Sequence, residues 1–431
     1  MISNALPQSL IDNPLLSQWI AFEQRGSVRV GSGKVEIGQG ILTALTQIAA
    51  DELDVRPEQI SLVSGQTDIS PAEGFTSGSY SIAVGGASIR LVCAEVRSLF
   101  LDRIAETLGC LLSELSIEDG RFLRAGKDTG HDYWSMAADI GLERRASGTA
   151  PTKRPSTYKI VGKPCRGSIC RPRIVGAGFI HDIAPENLLH ARVLRQPWRG
   201  AHLAGLDESA VRKAARIPIE ILREGEFTAL TADSEIAVMR ASEAARTLAK
   251  WEGGTPPPAD AGTPAWIKGQ PSRDKTTETG KPGRAMAGRV IEASYSRPFL
   301  TYGSIATSCA LAEFKDGALK VWSHSQGPAV LREWLPVRWA CPPRRSTCST
   351  ARAPAPTATT PPTMPHSMPR SSPCAIRAAP CACNGRARTS SPPPRSAPLW
   401  RLRSAPSWMR TTSPPTGRSK SGAHRMPSGP A

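Results

Sequence analysis

The residues best placed to bind a ligand form a Gly-Gln-Gly turn, Gly38-Gln39-Gly40, directly before a stretch with helical spacing. Apolar side chains recur there at three- and four-residue intervals, which predicts a helix that begins near Ile41. Glycine lets a ligand approach the backbone closely, and the first turn of a helix has unpaired N–H groups that attract anions. The amide of Gln39 both donates and accepts hydrogen bonds. The turn therefore predicts an anion-binding site, and an ordinary strand-to-helix turn is the alternative.

The second candidate is the loop at residues 65–81, which is dense in glycine and in hydroxyl side chains. Hydroxyl groups donate and accept hydrogen bonds, so the loop suits a polar ligand. A plain surface loop is the alternative interpretation. The candidate binding residues of the two segments are Gly38, Gln39, Gly40, Thr76, Ser77, Gly78 and Ser79.

The sequence also predicts strands and helices on either side of these two segments. Alternating apolar residues at 28–37 indicate a hairpin that turns at Gly31-Ser32-Gly33, residues 59–64 indicate a strand, and residues 82–108 indicate a long helix. The later sequence predicts strands at 178–181, 188–194, 219–222, 290–295, 309–314 and 318–323, helices at 208–215 and 234–250, and a hairpin at 116–123.

Charge is distributed unevenly along the 431 residues, whose formal net charge is +17. Residues 334–431 contain 15 lysines and arginines and no acidic residue, whereas residues 1–333 contain 39 basic and 37 acidic residues. A basic tail binds nucleic acid in a salt-sensitive, non-specific way. The Pro392-Pro393-Pro394 run suits a proline-motif interaction. A nucleic-acid-binding protein and a proline-motif interaction protein are therefore the alternatives to an enzyme.

The sequence pattern predicts neither a membrane span nor a metal held by side chains. It has no apolar run of about 18 residues, and its first residues lack a basic region followed by an apolar one. The ten cysteines include no Cys-x-x-Cys pair and no Cys/His cluster with zinc or iron–sulfur spacing. We therefore expect a cytoplasmic chain with reduced cysteines.

Five short strings carry a resemblance to a known family: Gly33 to Gly40, residues 76–82, residues 179–182, residues 189–192 and His324-Ser325-Gln326-Gly327. Over residues 8–333 the chain resembles the large, molybdopterin-binding subunit of the xanthine dehydrogenase and aldehyde oxidase family. Within that family it is most similar to the isoquinoline 1-oxidoreductase and nicotinate dehydrogenase β-subunits.

The resemblance implies an α+β fold in which molybdopterin-binding segments flank an α/β hammerhead domain. The expected boundaries are 1–150 for the first molybdopterin-binding segment, 151–252 for the hammerhead domain with its leading linker, 253–284 for a linker, and 285–333 for the start of the second molybdopterin-binding segment.

The resemblance also implies a molybdenum hydroxylase, which hydroxylates an N-heterocycle or an aldehyde with oxygen from water. The cofactor would be molybdenum–molybdopterin, with the metal held by the cofactor's sulfurs and by no protein ligand. Gln39 matches the family's glutamine near the metal. Electrons would pass to a separate [2Fe–2S] subunit, and in some members then to a cytochrome.

The resemblance stops at Glu333. If each new codon takes the third base of one codon and the first two of the next, Ala355 to Pro369 can be read with the family's Tyr-Gly-His-Asn and Asp-Asp-Ala-Ala motifs. We therefore expect residues 334–431 to be a frame-shifted, disordered basic tail. The family's catalytic glutamate comes from a Gly-Glu motif far toward the C-terminus, which nothing in this chain matches, so no catalytic residue is predicted. The chain is expected to be truncated and inactive, with weak or absent cofactor binding.

Overall fold

The computed structural model describes residues 5–23, 26–165, 179–273, 275, 291–297, 299, 308–315, 318–339, 346–350 and 381–385, with backbone alone for 336–339 and the last two segments. Its helices are α1 (Gln8–Asp12), α2 (Ile41–Leu53), α3 (Ala87–Leu108), α4 (Tyr133–Met136), α5 (Glu208–Ala215), α6 (Glu235–Leu248), α7 (Pro264–Gly269) and α8 (Pro328–Trp339). Its strands are β1 (Ile20–Glu23), β2 (Ser27–Ser32), β3 (Ile60–Ser64), β4 (Leu115–Glu118), β5 (Arg121–Arg124), β6 (Lys127–Asp132), β7 (Leu189–Leu194), β8 (His202–Leu206), β9 (Glu220–Glu224), β10 (Phe227–Ala232), β11 (Ala249–Glu252), β12 (Ser308–Lys315), β13 (Ala318–Ser323), β14 (Ser346–Thr350) and β15 (Cys381–Gly385).

The N-terminal sheet has the order β1-β2-β3, with β2 antiparallel to β1 and parallel to β3. Helix α2 connects the two parallel strands, as parallel pairing requires a crossover. The predicted hairpin at 28–37 is wrong, because both edges of β2 already have partners. The chain leaves the sheet after Ser32, and the N–H of Val35 donates to the Thr76 hydroxyl instead of to a neighbouring strand.

Aromatic side chains fill the core between this sheet and helix α3. The ring of Tyr133 stacks on Phe22 at a centroid distance of 5.1 Å and meets Phe100 edge-on at 4.9 Å. The predicted long helix is confirmed as α3, which follows a π-helical turn at Ser81–Gly86. The predicted hairpin at 116–123 is confirmed as β4 and β5.

Residues 147–161, here called the strap, run across helices α2 and α3 without forming strands. Buried carboxylates of the two helices hold the strap's backbone. Asp51 accepts hydrogen bonds from three strap N–H groups, Glu95 accepts from two, and Glu52 accepts from the N–H of Lys153. The strap is therefore part of the surface that covers these helices.

A seven-stranded sheet has the order β14-β13-β12-β15-β7-β10-β9. Helix α6 packs on β7 and β10, and α5 packs on α6. The predicted helices at 208–215 and 234–250 are confirmed, as are the strands at 188–194, 219–222, 309–314 and 318–323. Strands β8 and β10 were not predicted: β8 contains no β-branched residue, and β10 is buried along almost its whole length, so it lacks the apolar and polar alternation of a half-buried strand.

Two predicted strands are not found in the described residues. At 178–181 the chain instead forms a 3-10 turn, Ile180–Asp182, because the Asp182 carboxylate accepts from the N–H of Phe179 and this local bond competes with strand pairing. Gly178 lies outside the described residues. Residues 291–297 are irregular, and Val290 also lies outside the described residues.

The expected disorder of residues 334–431 is wrong for three segments. Residues 334–339 belong to α8, Ser346–Thr350 pairs with β13, and Cys381–Gly385 pairs with β12 and β7. The two strand segments contain neither proline nor charge, so the composition that predicted disorder for the tail as a whole does not apply to them. The rest of the tail lies outside the described residues.

The described residues within 196–202 and 251–303 belong to a second compact unit. There the indole N–H of Trp198 donates to the carbonyl of Gly253 at 2.9 Å. Helix α7 lies in the segment predicted as a linker, and the Thr263 hydroxyl caps it by accepting from the N–H of Trp266. Across the described parts of the chain, no helix is long and apolar enough to cross a membrane.

Candidate functional site

The Gly-Gln-Gly turn lies where the sequence predicted it, directly before α2. Both glycines have positive φ, 101° at Gly38 and 78° at Gly40, which side-chain-bearing residues rarely adopt. Gly40 is the N-cap of α2, whose first residue is Ile41. The predicted start of the helix is confirmed.

A carboxylate of the chain itself occupies the N-terminus of α2. The Oε1 atom of Glu36 accepts hydrogen bonds from the N–H groups of Gly38 at 2.8 Å and Gly40 at 3.0 Å, and Oε2 accepts from Leu42 at 3.4 Å. Glu36 is buried. The N–H groups that the sequence offered to an anionic ligand are therefore already used, and a negative charge already complements the helix dipole.

The side chain of Gln39 also bonds to its own turn. Its Oε1 atom accepts from the N–H of Ile37 at 2.7 Å, and its Nε2 atom donates to the carbonyl of Val35 at 3.1 Å. The residue is exposed. Each amide atom keeps further capacity, because Nε2 has a second hydrogen and Oε1 a second lone pair.

Replacing Glu36 with alanine is expected to lower the free energy of unfolding by about 1–2 kcal/mol, which is typical for losing a helix cap. Urea denaturation measures this change. Glu58→Ala is the matched control, because Glu58 is exposed and should change stability by less than about 0.5 kcal/mol. Equal effects of the two substitutions would contradict the capping role of Glu36.

The hydroxyl loop divides into a buried and an exposed part. The hydroxyl of Thr76 is buried and accepts from the N–H of Val35 at 2.9 Å. Ser77, Gly78 and Ser79 are exposed, and Ser79 has a positive φ of 61°. Of the predicted loop residues, the two serines are therefore exposed to solvent, whereas Thr76 holds the loop in place.

Residues far apart in sequence meet at Thr76. Its N–H donates to the carbonyl of Gln326 at 2.8 Å, and the Gln326 side-chain amide donates back to the carbonyl of Thr76 at 2.9 Å. The ring of Phe75 lies on Gly327, where a Cβ atom would come within 2.6 Å of the ring. Three of the strings that carried the family resemblance are thus joined by direct hydrogen bonds.

Two buried residues of opposite charge, Lys34 and Glu73, were missed by sequence analysis and lie beneath this junction. The Nζ atom of Lys34 donates to the carbonyls of Glu73 at 2.7 Å and Phe75 at 3.2 Å. The Oε2 atom of Glu73 accepts from the Ser32 hydroxyl at 2.9 Å and from the N–H of Gly33 at 2.8 Å. Burial lowers the pKa of Lys34, and the negative charge of Glu73 partly opposes this effect. The available signal was an acidic residue, Glu73, within a loop dense in glycine and hydroxyl side chains.

A cleft of about 320 Å³ adjoins the junction. It lies between the loop at 65–72 and the first turns of α8, and the Arg332 guanidinium donates to the carbonyl of Thr67 beside it. The cleft is lined by Gly33, Gly65, Thr67, Ser70, Pro71, Ala72, Pro328, Ala329, Arg332 and Glu333. In the described residues, no group of three or more His, Cys, Asp or Glu side chains could hold a metal ion.

Comparison with known proteins identifies relatives of this chain. Residues 6–164 match the family described as molybdopterin cofactor-binding domain. The nicotinate dehydrogenase B subunit of Pseudomonas putida is 30% identical over 345 residues, which covers 76% of this chain and 28% of that protein. The isoquinoline 1-oxidoreductase β-subunit of Brevundimonas diminuta is 25% identical over 274 residues, which covers 54% of this chain and 35% of that protein.

Among solved structures, quinoline 2-oxidoreductase from Pseudomonas putida 86 is 17% identical, with 42% of this chain and 29% of that chain covered. Its TM-score of 0.30 is too low to establish a shared fold. The chain spans 28% and 35% of the length of the two relatives above. The matched domain and these relatives confirm the resemblance, first drawn from the sequence, to the molybdopterin-binding subunits of the xanthine dehydrogenase and aldehyde oxidase family.

Proposed function

We propose that this chain is the cofactor-binding part of a molybdenum hydroxylase-type oxidoreductase that acts on an N-heterocycle or an aldehyde. The observation that carries the proposal is the junction at Thr76. There, hydrogen bonds to Val35 and Gln326 bring the Gly-Gln-Gly segment, the hydroxyl loop and the His324 to Gly327 segment together. These three segments are therefore held together at one place, which a plain surface loop would not require.

The exposed groups at this place fit a polar cofactor better than the helix N-terminus does. Gln39, Ser77 and Ser79 are exposed and keep hydrogen-bonding capacity. The N–H groups of Gly38 and Gly40 donate to Glu36, so a phosphate at the start of α2 would compete with that carboxylate. We therefore assign molybdopterin contacts to the three exposed side chains.

When bound, molybdenum–molybdopterin supplies the metal centre at which such enzymes hydroxylate carbon with oxygen from water. This chain's own residues bind and orient the cofactor, which is the usual division of work in cofactor enzymes. We further propose a separate [2Fe–2S] subunit as the electron acceptor. Several relatives carry subunit names, one of them "6-hydroxypseudooxynicotine dehydrogenase complex subunit gamma" from Paenarthrobacter nicotinovorans.

We also propose that the sequence beyond Glu333 is read in a shifted frame. The charge balance and proline content change there together, and the shifted translation of Ala355 to Pro369 restores family motifs. Resequencing codons 330–370 tests the proposal. If a natural isolate encodes these same residues in an unbroken reading frame, a sequencing error is contradicted. The cause would then be a natural change of frame.

Molybdenum content measures the proposed function directly. The 431-residue chain, purified with its iron–sulfur partner, is expected to carry little molybdenum and to show no hydroxylase activity, because each unpaired buried polar group of a half-built site costs about 1–3 kcal/mol. Restoring the frame after Glu333, with the downstream gene supplied, should recover both. Stoichiometric molybdenum in the present chain would overturn the expectation of a half-built site.

In the frame-restored protein, Gln39→Ala is expected to lower molybdenum occupancy or turnover, because it removes the exposed amide of the turn. Elemental analysis and steady-state kinetics measure the two quantities. Gln59→Ala is the control, since the Gln59 amide bonds only to the backbone of Arg56 and Asp119 at a distant hairpin. A Gln39→Ala protein identical to its parent would make the turn an ordinary strand-to-helix connection.

A further inference from the structure

We propose that Lys34, with the oppositely charged Glu73 nearby, is the positioning residue that fixes the hydroxyl loop beside the Gly-Gln-Gly turn. The proposal rests on the proposed function only in taking the loop and the turn as the cofactor-binding segments. Its structural content, that one buried ammonium determines where the loop lies, is independent of any ligand.

The contacts of Lys34 connect the two segments directly. The residue belongs to the segment that leads into the turn, and its ammonium donates to two carbonyls of the loop, those of Glu73 and Phe75. Its own carbonyl accepts from the Ser64 hydroxyl at 2.6 Å. Since only 3% of the residue is exposed, water cannot replace these partners without opening the loop.

Glu73 supplies the opposite charge and a second connection. Its carboxylate accepts from Ser32 and Gly33, which precede Lys34 in the chain, so each residue of the pair bonds to the other's segment. A glycine in the π-helical turn makes room for both side chains. A Cβ atom on Gly85 would lie 2.8 Å from Glu73 Oε1 and 3.2 Å from Lys34 Cγ.

The pair acts on placement more than on stability. Burying two opposite charges gains little over an apolar pair of the same volume, because desolvation offsets their attraction. The directed hydrogen bonds of an ammonium are what an apolar pair would lack. A double substitution that removes both charges should therefore restore stability while leaving the loop without its donor.

Limited chymotrypsin digestion of the full chain distinguishes an effect on loop placement from an effect on stability, because Phe75 and Tyr80 are exposed aromatic residues of the loop. Cleavage after Tyr295, which is also exposed, is the internal reference. Lys34→Met should raise the initial rate of cleavage at Phe75 and Tyr80 at least tenfold over the rate at Tyr295. Glu73→Gln, which keeps the shape of the side chain and the loop's lysine donor, should raise the rate less.

The double variant Lys34→Met/Glu73→Gln decides between positioning and bulk stability. We expect its melting temperature to return towards that of the parent while the loop remains cleaved nearly as fast as in Lys34→Met. Loop cleavage that falls back with the melting temperature would overturn the proposal, as would equal acceleration at Tyr295. If Lys34→Met alone does not fold, the double variant and the parent supply the comparison.

Molybdenum content of the same variants in the frame-restored protein separates this proposal from the proposed function. Faster loop cleavage together with lost molybdenum supports both. Faster loop cleavage with unchanged molybdenum supports the positioning role of Lys34 and contradicts the assignment of the loop to the cofactor. Unchanged cleavage in Lys34→Met and in the double variant overturns the positioning role whatever the molybdenum content.

Discussion

Replacing Glu52 with alanine is expected to lower the free energy of unfolding by about 3–5 kcal/mol, because it removes one partner of a buried ion pair. Glu52 is 1% exposed, and its carboxylate accepts from Arg90 and Arg97, each at 2.9 Å. Arg97 is itself buried. In the variant its guanidinium charge would remain inside the protein without its carboxylate.

The same substitution also releases one attachment of the strap, since Glu52 accepts from the N–H of Lys153. Chemical denaturation gives the stability change, and trypsin cleavage between Lys153 and Arg154 reports the strap. Glu114→Ala is the matched control, because the pair of Glu114 with Arg124 is solvent-exposed and should contribute far less to stability than the buried pair. A Glu52→Ala protein as stable as the control would contradict a structural role for the buried pair.

Replacing Gly33 with alanine is expected to cost about 3 kcal/mol, the upper end of the usual range for overpacking. A Cβ atom there would lie 2.4 Å from the carbonyl oxygen of Pro71 and 2.8 Å from the nitrogen of Glu73. Both are backbone atoms, so the loop must move away from the segment before the turn. The shift would also lengthen the hydrogen bond from Gly33 N–H to the Glu73 carboxylate.

Gly141→Ala is the control for this prediction, because nothing lies within 4 Å of a Cβ atom at Gly141 and its φ is not positive. That variant should differ from the parent by less than about 0.5 kcal/mol. Thermal unfolding compares the two. Similar melting temperatures of the Gly33→Ala and Gly141→Ala proteins would mean that the loop at 65–81 moves away from residue 33 without loss of stability.

Local patterns predicted the helices well and the connections poorly. The start of α2 at Ile41 follows from helical spacing after a glycine, and α3 follows from its length, so both could be predicted. Val35 and Ile37 alternate as a strand does, yet their hydrogen bonds go to Thr76 and Gln39. Alternation of apolar residues does not show which hydrogen-bond partner a backbone N–H group will have.

The sequence predicted which residues form the candidate site, but it did not predict the hydrogen bonds among them. Glu36 accepts hydrogen bonds from the N–H groups of Gly38 and Gly40, two and four residues later. This contact is local, but the sequence analysis considered only the glycines. Lys34 and Glu73 lie 39 residues apart, and Asp51 reaches the strap more than 100 residues away. Pairings over such distances depend on the whole fold, so a single sequence does not specify them.

The bond between Thr76 and Gln326 has a consequence for how the protein is made, because its partners are 250 residues apart. Closing a loop of that length costs about 1.6 kcal/mol more in chain entropy than closing the 41-residue loop between Val35 and Thr76. At a synthesis rate of roughly 5–20 residues per second, Gln326 leaves the ribosome's active centre about 12–50 seconds after Thr76. During that interval the nascent chain presents the hydroxyl loop without its distal partner, and the loop's hydrogen bonds to Lys34 and Val35 are the ones it can already form.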